Sequence, residues 1–224
     1  MKLTHLGHSC FLLETSRHRL LFDPFLSGNP LATTRPEEVE CDFILVTHGH
    51  EDHLGDAVAI AKRTGATIIS NFETASVCGK QGAKAHPMQH GGAWQFPFGR
   101  VKLTIAHHSS SNETEEGFTY LGNPAGILVT TDGKTIYHAG DTALFLDMKL
   151  IGELDSIDVA LLPIGDNFTM GPEDAGRAVD FLNAKLAIPM HYNTFDLIKV
   201  DPERFVAAAK GRGRVMEIGE TIGI

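Results

Sequence analysis

Cysteine is scarce in this chain, and the little there is forms no pairing pattern. Cys10, Cys41 and Cys78 are odd in number and widely spaced, with no Cys-x-x-Cys among them. This argues against a disulfide framework and suits a reducing cytoplasm, the expected location. Long apolar runs are missing too. "DVALLPI" and "FILV" are strand-sized, far short of the ~18 residues that cross a bilayer. The N-terminal "MKLTHLGHSCFLLE" has no sustained apolar stretch and no small-residue cleavage site, so it reads as a first strand, not a signal peptide. Basic charge is in deficit: 19 Lys and Arg against 28 Asp and Glu give a formal net charge of -9. Nucleic-acid binding needs a basic footprint, so no such partner is expected. A small anionic substrate at a locally positive site is compatible with that charge. There is no Gly-x-Ser-x-Gly nucleophile motif and no low-complexity tract.

What the chain does have is 224 residues, 42% of them hydrophobic, enough to bury a substantial core. Short apolar runs punctuated by Gly7, Ser16 and Asp23-Pro24 predict hairpin strands at the start. Ser27–Cys41 is a polar connection. "FILVT" then predicts a buried strand, "DAVAIAKRTG" a helix capped by Gly65, "ATIIS" a strand and "ETASVCGK" a short helix. The middle returns to strands in "VKLTIAH", "GFTYLG" and "AGILVTTDGKTIYHAG", the last with Asp132-Gly133 as a hairpin turn. "DVALLP", "GPEDAGRAVDFLNA", "LAIPMH", "DPERFVAAAK" and "RVMEIG" then alternate strand, helix, strand, helix, strand. Each half runs from hairpins into strand–helix units. The expectation is one α/β domain over residues 1–224, with two facing sheets and helices outside.

The chemistry concentrates in "THGHEDHLGD". His48, His50, Asp52 and His53 offer three imidazoles and a carboxylate directly after an apolar strand, the donor types zinc and related divalent ions prefer. Other apolar runs end in further donors: His107-His108, His138 with Asp141, and His191. The C-terminal ends of strands are where α/β proteins place their sites, so converging loops would bring these groups to one rim. His8 sits at a strand end near that rim. Asp166 and Asn167 follow an apolar strand, where they either line the cleft or cap the loop before the helix at Pro172. His138 either contacts a ligand or substrate or is a buried structural histidine, and Asp56 is placed to orient an imidazole.

In order, "THGHEDHLGD", "HHSSS", "YHAGDT" and "IPMHYN" resemble the metallo-β-lactamase-fold superfamily across nearly the whole chain. Gly7-His8-Ser9 and Asp23-Pro24 are similar to the branch of predicted metal-dependent hydrolases near ascorbate phosphate lactonase and N-acyl-phosphatidylethanolamine phospholipase D. The resemblance implies a four-layer αββα sandwich. It implies that His48, His50 and His108 hold one metal, that Asp52, His53 and His191 hold a second, and that Asp141 bridges them. His108 is chosen over His107 because the branch places the ligand directly before the serines. His8, His138 and Asn167 become substrate-pocket candidates.

Two divalent ions would share a water and bring its pKa toward neutrality, giving a bridging hydroxide to attack an ester, lactone, amide or phosphodiester bond. Asp52 would be both ligand and orienter of that water. Zn2+ suits the donors best; Mn2+, Ni2+ and Fe are compatible. The expected partner is a small-molecule substrate, and homo-oligomers are common among relatives. Two rivals remain open: an iron redox enzyme on the same fold, from which retention of His50 in place of Glu argues away, and a non-catalytic metal-binding protein.

Overall fold

The computed structural model describes residues 1–115 and 117–224. The chain opens with three antiparallel strands, β1 (Lys2–Gly7), β2 (Cys10–Glu14) and β3 (Arg19–Phe22). It continues through β4 (Phe43–Leu45), α1 (Glu51–Leu54), α2 (Ala57–Thr64), β5 (Thr67–Asn71), α3 (Phe72–Lys80) and β6 (Lys84–Met88), in which β3 to β6 pair in parallel. The second half repeats that plan. Strands β7 (Ala93–Phe96) and β8 (Gly99–Ile105) form a hairpin, and β9 (Ser111–Thr114) pairs only with β10 (Gly117–Tyr120) among the described residues. Then come β11 (Ala125–Thr131), β12 (Lys134–His138), α4 (Met148–Leu154), β13 (Val159–Pro163), α5 (Pro172–Leu182), β14 (Leu186–Met190), α6 (Pro202–Ala208) and β15 (Thr221–Gly223).

Two sheets result, in the strand orders β15-β1-β2-β3-β4-β5-β6 and β14-β13-β12-β11-β8-β7. Their facing sides meet in a core of alternate residues, including Leu13, Phe22 and Leu45 from one sheet and Ile127, Val129 and Leu161 from the other. The intervening residues face outward under helices. Ile44 and Ile68 pack with Ile60 and Ala61 of α2, while Ala160 and Leu162 pack with Val179 and Leu182 of α5. Both faces of the central strands are therefore apolar, which is why "FILV" and "DVALLP" read as continuous runs. The fold is the four-layer αββα sandwich of the metallo-β-lactamase type.

Local signals hold where backbone geometry decides. Asp132 and Gly133 both take positive φ, 47° and 75°, as a two-residue hairpin turn requires. Gly65 ends α2 in the left-handed conformation. One expected element is absent: "RVMEIG" is not a strand. Residues 212 and 214 bond to Ala187 at the edge of β14, and then the chain turns away. Met216 drops into the inter-sheet core, and Glu220 accepts the Glu217 N–H at 2.9 Å and an Arg214 N–H at 2.5 Å. The final strand lies later, in β15, beside β1.

Candidate metal centre

At one rim of the two sheets, four loops bring their donors together. His48 follows β4. His50 is the residue before α1, and this single helical turn carries Asp52 and His53. The first motif is thus part loop and part helix, so it aims its halves at two places. His108 follows β8, Asp141 follows β12 and His191 follows β14. His48 Nε2 lies 3.0 Å from His50 Nδ1, and donor atoms of His48, His50 and His108 lie within 4.8 Å of one another. Asp52, His53 and His191 form a second such group together with His8. Asp141 stands between: its Oδ2 is 2.9 Å from His191 Nε2 and 3.6 Å from His108 Nε2, and its Oδ1 is 3.3 Å from His53 Nε2. His107 points elsewhere, exposed and 4.9 Å from the ring of Phe145.

Hydrogen bonds behind the cluster fix the rings. Asp23 is fully buried; its carboxylate accepts the Thr47 N–H at 2.8 Å, the Thr47 hydroxyl at 2.7 Å and the His53 Nδ1–H at 2.7 Å. Because Thr47 gives its proton to Asp23, its oxygen accepts from His48 Nδ1 at 3.0 Å. Both imidazoles thereby turn Nε2 toward the cluster and keep Nδ1–H on an acceptor, the arrangement that orients a ligating histidine. Ser110 accepts the Gly49 N–H at 3.0 Å and ties the first motif to the His108 loop. A Cβ at Gly49 would lie 2.6 Å from Leu121 Cβ. Gly49→Ala is therefore expected to push His48 and His50 apart and to destabilise the fold by about 1–3 kcal/mol in urea unfolding.

Charge follows the same plan. Burial alone would raise the Asp141 carboxyl, but the His191 and His53 charges beside it hold it well below the usual range. Burial would lower His191, yet Asp141 and the hydrogen bonds to Asp141 and Asp52 push it up to about 9. His53 is raised in the same way, against burial, by Asp141, Asp52 and Asp23. Burial dominates at His48, His50 and His108, which all titrate lower than normal. Two imidazolium–carboxylate contacts thus hold the cluster together when no cation is bound. Even so, His53 Nε2 and Asp141 Oδ1 are buried with no hydrogen-bond partner. Orphaned, converging donors of this kind fit a divalent cation.

A divalent ion takes neutral imidazole, so loading must expel the protons on His53 and His191. Metal affinity should rise with pH up to about 9, where His191 loses its proton unaided. Calorimetry in two buffers of different ionisation enthalpy should record release of about two protons at pH 7, and fewer above pH 9.

The other expected site residues fare differently. His8 does not line the cleft wall. It is buried in the cluster, its Nε2 3.2 Å from Asp52 Oδ2 and its Nδ1 2.8 Å from the Thr194 hydroxyl. Burial, with His191 nearby, lowers it to about 4. His138 does not reach the cleft either. It is fully buried between the sheets, stacked on Phe22 at 5.4 Å and bonded to the Ser9 carbonyl at 2.9 Å, so it is an interior histidine. Asn167 is exposed in the loop after β13, with its backbone N–H on Gly165. Asp56 orients no imidazole, because its Oδ2 accepts the N–H groups of Leu26 and Ser27 and pins that loop. Asp23 and Thr194 were not singled out as site residues from the sequence. The signal for Asp23 was an acid before proline at a strand end; for Thr194 there was none.

Fold and cluster together define a metallo-hydrolase type of protein, and comparison with known proteins gives the family. A family model described as the beta-lactamase superfamily domain matches residues 2–191, and the chain belongs to that superfamily. A UPF0173 metal-dependent hydrolase of Bacillus velezensis is 58% identical over 99% of both chains. The UPF0173 metal-dependent hydrolase YtkL of Bacillus subtilis is 56% identical over the same share. Among solved structures, Igni18, a metallo hydrolase from Ignicoccus hospitalis, superposes with a TM-score of 0.89 at 39% identity, covering 99% of this chain and 97% of its own. Among the described residues, no helix is long and apolar enough to cross a membrane.

Proposed function

We propose that this metal-dependent hydrolase cleaves an ester, lactone or phosphodiester bond with two divalent ions held side by side. The carrying observation is Asp141, whose two oxygens face imidazoles of both donor groups at 2.9–3.6 Å. His48, His50 and His108 would hold one ion, Asp52, His53 and His191 the other, and Asp141 would touch both. Zn2+ suits an imidazole-rich set of this kind. Such a pair supplies a water of near-neutral pKa and a Lewis acid for the scissile oxygen.

The chain's own groups do the rest. Asp23 and Thr47 keep His53 and His48 in the ligating tautomer. Asp52, partly exposed on α1, orients the attacking water by accepting its hydrogen bond. The Ser109 hydroxyl, 3.4 Å from His50 Nε2 and exposed, is placed to donate to a substrate oxygen. We read residues 1–224 as one domain, since both sheets contribute to the cluster, and as cytoplasmic, since the three cysteines are free and buried. The net charge of -9 supports a small-molecule partner over nucleic acid.

The test is a screen of lactones, phosphodiesters and thioesters with Zn2+-loaded protein, run beside His50→Ala. Turnover of at least one class by the wild type, lost in His50→Ala, is expected. Equal turnover by both proteins, or none across the panel, would contradict the proposal. Bound iron with a visible absorption band would favour the redox rival instead.

A further inference from the structure

We infer that His8 is a fifth protein donor to the second ion, closing a cage with Asp52, His53, His191 and the shared Asp141, while the ion at His48, His50 and His108 is the one open to substrate. This rests on the two-ion reading and extends it to a residue outside the seven donors.

Three observations carry it. The first is distance. Donor atoms of His8, Asp52, His53 and His191 all lie within 4.8 Å of one another. His8 Nε2 is 3.2 Å from Asp52 Oδ2, and the same oxygen is 3.5 Å from His191 Nε2. Neighbouring donors at about 2.0–2.1 Å from a zinc ion and near-tetrahedral angles lie about 3.3–3.4 Å apart, so both edges already have the size found in a coordination shell.

The second observation is the tautomer. His8 Nδ1 lies 2.8 Å from the Thr194 hydroxyl, which also lies 3.5 Å from the Tyr192 carbonyl; with the hydroxyl hydrogen on that carbonyl, the Thr194 oxygen receives the Nδ1–H. The Nε2 lone pair of His8 then faces a carboxylate oxygen. In that tautomer a cation between Nε2 and the Asp52 carboxylate satisfies both acceptors. His53 and His48 are set in the same way, with Nδ1–H on Asp23 and on Thr47. An oriented outer nitrogen is the usual mark of a ligating histidine.

The third is enclosure. The His8 side chain is fully buried, with the rings of Phe25 and Phe195 each 5.7 Å from it. His50 and His108, in contrast, are partly exposed. Closed donor sets hold an ion firmly, and three-histidine sets leave a position for water or substrate. The division of labour follows: the second ion is the tightly seated one, and the substrate oxygen approaches at the His50 and His108 side.

The experiment is equilibrium dialysis of metal-stripped protein against Co2+, with bound metal counted by mass spectrometry and cobalt d–d bands recorded. Wild type, His8→Ala and His8→Gln are compared, after thermal melting shows that the metal-free variants fold. Gln fills similar space and can pair with Asp52 through its amide N–H, but it is a poor cobalt ligand. Two ions in the wild type, with one bound at least about tenfold more weakly in both variants and altered d–d bands, is the expected result. Two ions in the wild type with undiminished binding in His8→Gln would make His8 only a positioning residue and overturn the inference alone. A wild type that takes up a single ion would overturn the two-ion function and the His8 assignment together.

Discussion

Asp141→Ala should lose essentially all hydrolytic activity, with kcat/KM falling more than the roughly 10–100-fold typical of groups that merely support a metal ligand. Its carboxylate faces imidazoles of both donor groups: Oδ2 approaches His191 and His108, and Oδ1 approaches His53. Without it, the proposed ion pair would lose its shared carboxylate. The metal-free variant should also change its titration. Asp141 is the main group that keeps His191 up at about 9 against the effect of burial. With the carboxylate gone, the His191 ring signal followed by NMR should titrate well below that value. Substantial residual activity, or an unmoved His191, would show that Asp141 does not occupy the centre of the site.

Asp23→Ala is expected to be the most destabilising single change near the site. The carboxylate is inaccessible to solvent and satisfies three donors, from Thr47 N–H, the Thr47 hydroxyl and His53 Nδ1–H. Truncation leaves all three buried and unpaired, at a cost of about 3–5 kcal/mol in urea unfolding of the metal-free protein. It also frees His53 to flip its tautomer, so metal affinity should fall by roughly 10–100-fold. Asp23→Asn retains an acceptor for Thr47 and should lose less stability. An Asp23→Ala protein as stable as wild type would mean that the buried hydrogen bonds described around Thr47 and His53 do not form.

That seven candidate donors would meet at one rim was legible because ligand chemistry restricts residue type, and because strand ends announce themselves as apolar runs stopping at a histidine. The layered fold was legible for a related reason: a sheet buried on both faces writes uninterrupted runs, and turns such as Asp132-Gly133 admit few other residues. Other features escaped. The turn of helix α1 inside the first motif is too short to carry a periodicity, yet it separates the aim of His50 from that of Asp52 and His53. Helix α4 and strands β6, β7 and β9 have mixed polarity, because they lie at edges or pack on one side only. His138 illustrates the opposite error: its position three residues before Asp141 suggested a site role, but the alternation of β12 turns it into the inter-sheet space against Phe22. Asp23 was hidden because its partners, Thr47 and His53, lie 24 and 30 residues away in sequence. Contacts of that range are set by topology and leave no local trace.

The most direct test of the two-ion account is a stepwise titration of metal-stripped protein with Zn2+, following hydrolysis of whichever substrate class the screen selects. Two ions per chain should bind, and activity should appear only as the second equivalent goes in. Full activity at one equivalent, or no activity with both sites filled, would contradict it.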